Sequence, residues 1–165
     1  MINLKDVLSK QQCLGFIDWA ESLNFEDNSS KPLRERGNDA LIIFEDQKLS
    51  DKIWEKVSHR LPSENNFGKA NGLNDYFRLY RFLPGMTEQL PERAKYVRSP
   101  NETAVFTLII FLNSKFEAAE IITEGQKIIP ETGMSLIFDN SEAHSFLPLT
   151  KGIKYELRTD VVYRR

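Results

Sequence analysis

Histidine and cysteine are scarce in this chain: His59, His144 and Cys13 are the only examples among 165 residues. One cysteine excludes an internal disulfide, and the Cys/His spacing of a zinc site is missing as well. A two-histidine, one-carboxylate iron site of the usual kind would have to use both imidazoles. No apolar run approaches the ~20 residues of a membrane span. The opening Met1-Ile-Asn-Leu-Lys-Asp6 lacks an apolar signal region, so the expected location is cytoplasmic. The 22 basic and 24 acidic residues are dispersed and sum to −2, with no basic block. Neither nucleic acid nor a membrane surface is therefore an expected partner. There is no phosphate-cradling glycine loop, no Ser/His/Asp signature, no internal repeat and no low-complexity segment.

What is present is ordinary globular material. Hydrophobic residues make up 41% of the chain, with eleven Phe and two Trp, enough for the core of a single domain spanning 1–165. Residues 4–24 read as an amphipathic helix, with Ser9 as an internal cap and Leu8, Cys13, Phe16, Ile17, Ala20 and Leu23 at helical spacing. That face makes Cys13 a core residue rather than a reactive one. Residues 28–32 read as a turn or loop, Leu41–Phe44 as a short strand, and Leu49–Leu61 as a second helix ended by Pro62. His59 lies near the C-terminus of that helix, where the dipole favours imidazolium. Residues 64–74 read as loop.

From Tyr76 the period changes to two. Tyr76–Phe82 alternates as a strand turned by Pro84-Gly85, and residues 86–102 read as a long loop or lid. Ala104–Leu112 is dense in β-formers and suits a central strand. Short strands follow at 120–123, 126–129, 134–138 and 154–163. Helices first (about 1–62) and strands later (about 76–165) predict an α+β fold whose strands form a sandwich or barrel.

Several segments, in order and with matching gaps, resemble the prolyl-4-hydroxylase-type 2-oxoglutarate/Fe(II) oxygenases. They are Gly72-Leu-Asn74 with Phe77-Arg-Leu-Tyr80-Arg-Phe-Leu-Pro-Gly85; Thr107-Leu-Ile-Ile-Phe-Leu-Asn113 with Phe116-Glu-Ala-Ala-Glu120; Pro130-Glu-Thr-Gly133; Leu136-Ile-Phe138; His144; Gly152-Ile-Lys154-Tyr; and Leu157-Arg-Thr-Asp160-Val-Val-Tyr163. The resemblance covers nearly the whole chain. It implies a double-stranded β-helix, jelly-roll or cupin-like, buttressed by N-terminal helices. It also implies that His144 occupies an iron-ligand position and that Lys154 grips the distal carboxylate of 2-oxoglutarate. Tyr80, Thr107 and Arg158 are the further candidates for the co-substrate pocket.

The departures fall where the chemistry should be. The family's H-x-D would lie on Pro91 or Glu92 and on Arg93 or Ala94, and neither register recovers it. The family's Gly-Gly is Ala118-Ala119 here. Its tyrosine is Phe111, which removes a hydroxyl that commonly contacts the co-substrate. Glu92 or Glu88 could replace the missing carboxylate as a metal ligand beside His144. One imidazole with water holds ferrous ion weakly, because affinity needs several preorganised ligands.

Lys154, Glu156 and Arg158 share one face of a strand by alternation. A buried ammonium needs an anion to offset desolvation. For Lys154 that anion is either internal (Glu156, Asp160 or Glu142) or a bound dicarboxylate such as 2-oxoglutarate. The pair Asp75 and Arg78 reads as solvated surface charge.

Two functions follow. One is an oxygenase-like protein that keeps the barrel pocket without the usual iron triad. It would bind a small carboxylate or a peptide or protein partner, or catalyse a reaction without the usual iron site. The other is an active 2-oxoglutarate-dependent hydroxylase with an unorthodox ligand set around His144. The sequence assigns no substrate and no oligomeric state.

Overall fold

The computed structural model describes residues 1–23, 41–85, 89–90, 96–123, 126–141 and 144–165; the side chains of 89–90, 96–98, 123, 126 and 144–146 are not described. In chain order the elements begin β1 (Ile2–Leu4), α1 (Lys10–Ser22), β2 (Leu41–Glu45), α2 (Gln47–Val57) and a 3-10 turn (Ser58–Arg60). Next come β3 (Glu64–Asn65), β4 (Gly68–Leu73), β5 (Tyr76–Phe82), β6 (Gln89–Leu90), β7 (Tyr96–Ser99) and β8 (Glu102–Phe111). The chain closes with β9 (Phe116–Ala118), β10 (Ile121–Thr123), β11 (Gln126–Ile128), β12 (Ser135–Asp139), β13 (His144–Phe146), β14 (Leu149–Gly152) and β15 (Lys154–Arg164).

Among the described residues, a nine-stranded antiparallel sheet runs β1-β12-β8-β15-β4-β3, with β5 on β15, β2 on β5 and β7 on β8. A second sheet, β11-β10-β13-β6, and the pair β14-β9 complete the β-structure. One face of the large sheet carries Phe77, Leu79, Leu108, Ile110, Leu157 and Val161. These pack with Cys13 and Ala20 of α1 and with Leu49, Ile53 and Val57 of α2. The other face is covered by the smaller sheets. Ile121 of β10 joins Ile109, Phe111, Leu136 and Phe138, while Leu149 and Ala119 join Tyr80 and Phe82. This is the expected jelly-roll-like fold of two facing layers, with helices buttressing the larger one.

Local boundaries differ from the sequence reading for identifiable reasons. Ser9 is the N-cap of α1 rather than an internal cap. Its hydroxyl accepts from Gln12 N at 3.2 Å, and the Gln12 side chain accepts from Ser9 N at 2.9 Å. The helix thus begins at Lys10, and Ile2–Leu4 pairs with Leu4↔Ser135 and Ile2↔Ile137. α2 starts two residues early because Asp46 accepts from Leu49 N at 2.9 Å. Its last turn tightens into the 3-10 turn before Pro62. Residues 64–73 form a hairpin, not a loop, because β4 borrows its ladder from the end of β15. Part of the predicted loop 86–102 is also strand: Tyr96–Ser99 pairs with β8. Four strands thus lie before residue 76: β1 and β2 within the portion read as helical (about 1–62), and β3 and β4 in the stretch read as loop.

Cys13 is fully buried, as its helical spacing predicts, and burial pushes its thiol up to about 11. No helix among the described residues is long and apolar enough to cross a membrane. At Ala118 and Ala119 the backbone turns left-handed, with φ of 66° and 61°, where an L side chain is strained. By the resemblance, both alanines stand where the oxygenases have glycines. Ala118→Gly should raise stability by about 0.5–1 kcal/mol, the relieved strain exceeding the added unfolded-chain entropy. Urea unfolding of this variant checks the expectation, and a loss of stability would contradict the assigned backbone.

Candidate functional site

β15 is paired along its length, with β8 on one side and β5 then β4 on the other. Covered on both faces, it is buried from Lys154 to Tyr163. Its alternation therefore cannot appear as a buried–exposed rhythm and appears instead as chemistry. Tyr155, Leu157 and Val161 join the helical core. Lys154, Glu156, Arg158 and Asp160 face the other way. Register brings Phe82 and Tyr80 of β5, and Phe111, Ile109 and Thr107 of β8, onto the same inner face.

Charged groups in such a place need partners on the spot. Lys154 Nζ stands 2.8 Å from Glu156 Oε1, with the two side chains 2% and 0% exposed. The contact is a close, buried ion pair. Arg158 donates to Glu156 Oε2 from Nε at 2.9 Å and again from its terminal nitrogen. Lysine and arginine only donate, so Glu156 serves both as an acceptor. Aromatic faces support the cations. Lys154 Nζ lies 4.6 Å from the Phe82 ring centroid, and the Arg158 guanidinium 4.4 Å from that of Tyr80. Burial pulls Arg158 down to about 9, with Tyr80 opposing and Arg78 adding, which still leaves it charged at neutral pH. Burial also pushes the Glu156 carboxyl above its usual range, against the pull of Lys154.

Below this triad lies a second buried group. Asp160 accepts from Arg78 at 2.9 Å and from the Thr107 hydroxyl at 3.2 Å, and Thr107 reaches Asn140 at 2.6 Å. Arg78 is thus paired across the sheet with Asp160, not set out in solvent as surface charge. Of the sequence candidates, Lys154, Arg158 and Tyr80 come together around Glu156, while Thr107 belongs to the Asp160 group. The sequence reading did not single out Phe82 or Asn140. Phe82 was legible from the alternation Arg78, Tyr80, Phe82 along β5; Asn140, in the turn after β12, carried no periodic signal.

The metal candidates are placed differently. Glu92 and Glu88 lie outside the described residues, as does Glu142. His144 opens β13, where it pairs with Leu90 of β6 in the smaller sheet. His59 is exposed on the 3-10 turn after α2, on the helical side of the large sheet. The two histidines therefore occupy elements on opposite sides of that sheet. Among the described residues, no three His, Cys, Asp or Glu side chains gather as a metal-holding group.

A curved large sheet, a facing smaller sheet and two buttressing helices define the prolyl-4-hydroxylase-like 2-oxoglutarate oxygenase fold. Solved structures agree. A viral collagen prolyl hydroxylase from Paramecium Bursaria Chlorella virus-1 superposes with a TM-score of 0.71 at 19% identity, covering 99% of this chain and 90% of that one. The same hydroxylase in its 2OG complex gives 0.70 at 18% identity, with 99% and 96% covered. A Pseudomonas putida prolyl-4-hydroxylase gives 0.62 at 12% identity, with 99% and 92% covered. No protein-family model and no curated protein sequence matches the chain.

The triad sets an order of stabilities. Glu156→Leu removes the buried carboxylate that Lys154 and Arg158 share and should cost about 3–5 kcal/mol. Lys154→Met leaves Glu156 still held by Arg158 and should cost roughly half as much. Chemical unfolding of both variants tests this; a larger loss for Lys154→Met would contradict it.

Proposed function

We propose that this chain is an oxygenase-fold protein that acts by binding rather than by ordinary iron- and 2-oxoglutarate-dependent oxidation. One observation carries the reading: the carboxylate of Glu156, 2.8 Å from Lys154 Nζ and doubly bonded by Arg158, stands between the cations of the barrel floor. By the resemblance, Lys154 is the residue that would grip the far carboxylate of 2-oxoglutarate. An external carboxylate must displace a tethered one that has already lost its hydration and most of its freedom. Tethering favours the internal group. The residues present thus do not fit 2-oxoglutarate at Lys154.

The donor chemistry does not fit ferrous iron of the usual kind either. The H-x-D stretch reads Pro91-Glu-Arg-Ala94, and the only other imidazole, His59, is carried on the helical side of the large sheet. Phe111 adds an apolar wall beside Glu156 where the oxygenases have a hydroxyl. The fold then serves as a scaffold, and its partner is a peptide, a protein or a small ligand other than a dicarboxylate seated on Lys154. Fold alone does not fix activity; the site does.

Anaerobic titration with Fe(II), with and without 2-oxoglutarate, tests the reading by calorimetry and visible absorption. The expected result is no saturable iron binding and no charge-transfer band on adding 2-oxoglutarate. Tight iron binding with such a band, lost in His144→Ala, would establish the alternative of a working hydroxylase with an unorthodox ligand set.

A further inference from the structure

The helical side of the large sheet carries a groove of about 460 Å³ between α1 and α2. Its described walls include Gly15, Phe16 and Trp19 of α1 and Lys48, Leu49 and Lys52 of α2. Phe16 and Trp19 both rest on the Phe44 ring, at centroid distances of 6.1 Å and 5.0 Å. Trp19 nevertheless stays 37% exposed. A large ring fixed from behind and open in front is the kind of anchor on which interfaces concentrate their energy. Asp46 also borders the groove, but its carboxylate is engaged in capping Leu49 N.

Two of the lining residues are poor choices for stability. Gly15 lies inside α1, where glycine weakens a helix relative to alanine. Nothing in the backbone requires it: its φ is not left-handed, and a Cβ there would meet no atom within 4 Å. Lys48 is the second residue of α2, where the helix dipole favours an acid. Lys52, one turn on, presents a second exposed ammonium on the same face. Local rules broken without a structural need mark places of function.

We infer that this groove docks an acidic peptide segment of a partner protein. One aromatic or leucine side chain of the segment lies against Phe16 and Trp19, and its carboxylates meet Lys48 and Lys52. The absent side chain at Gly15 lets the anchor approach the helix backbone, and the two lysines select the sign of the segment. α1 and α2 cover the face of Tyr155 and Leu157, opposite Glu156, so the inference goes beyond the reading of the barrel.

Amide and indole NMR shifts of isotope-labelled protein, titrated with the peptide Ac-Glu-Asp-Phe-Asp-Glu-amide, test it. Saturable shifts are expected at Gly15, the Trp19 indole, Lys48 and Lys52. Replacing the phenylalanine by alanine, or the acids by lysine, should weaken binding about tenfold or more. Gly15→Leu should fill the groove and weaken binding by a similar factor, while its Tm holds or rises because leucine is the better helix former. Should Gly15→Leu melt below wild type, Lys48→Glu/Lys52→Glu decides. Acids suit the start of α2, so that variant should stay folded and bind about tenfold more weakly. Absence of saturable shifts, shifts confined to the barrel strands, or equal binding of the altered peptides would overturn the inference. So would undiminished binding by the deciding variant. Iron binding by the wild type would defeat the proposed function and leave these shifts unchanged.

Discussion

A carboxylate held between two buried cations near the start of the central strand is the constraint around which the inner layer is arranged. β15 must pair on both sides to close the large sheet, and so it has no solvent-facing edge on which to place charge. Yet its inner face carries Lys154, Glu156, Arg158 and Asp160 in succession. Each would cost several kcal/mol if buried alone. Alternating the signs along one face lets Glu156 neutralise Lys154 and Arg158 without leaving the strand, while Asp160 takes its cation, Arg78, from β5. The aromatic residues Tyr80 and Phe82 then act as supports for charge as well as apolar filling.

Such an arrangement contributes less to net stability than an apolar core of the same volume, since desolvation consumes most of the Coulomb attraction. In the proposed function its effect is on selectivity. With Glu156 in place, the cations that an oxygenase-like barrel would turn toward a bound acid are turned toward the chain. The fold similarity with a viral collagen prolyl hydroxylase extends over 99% of this chain at 19% identity. A likeness of that degree shows the frame and leaves the contents of the pocket to be argued from its own residues.

Much of the frame was readable in the sequence because the signals were local. Tyr76–Phe82 alternates, Ala104–Leu112 is dense in β-formers, and Ser9 is the kind of residue that caps helices, although it caps the start of α1 and not its interior. The hairpin at 64–73 was not readable, since its polar, glycine-containing sequence pairs only because the end of β15 offers it an open edge. Tyr96–Ser99 was missed for the same reason: its order comes from β8. In the site, alternation placed Lys154, Glu156 and Arg158 on one face, and the choice between an internal and an external anion was left open. Sequence spacing cannot settle that choice, because it depends on whether side chains two residues apart can touch across a twisted strand. The contribution of Arg78 to Asp160 was hidden too, the two being 82 residues apart.

The central claim is that Glu156, not an external acid, neutralises Lys154 and Arg158. The most direct measurement is a crystal structure of the wild-type protein grown in a large excess of 2-oxoglutarate. The account predicts that Lys154 Nζ remains within ion-pair distance of Glu156, with no carboxylate of the added acid between them. Density for 2-oxoglutarate on Lys154, with Glu156 turned away from both cations, would contradict it.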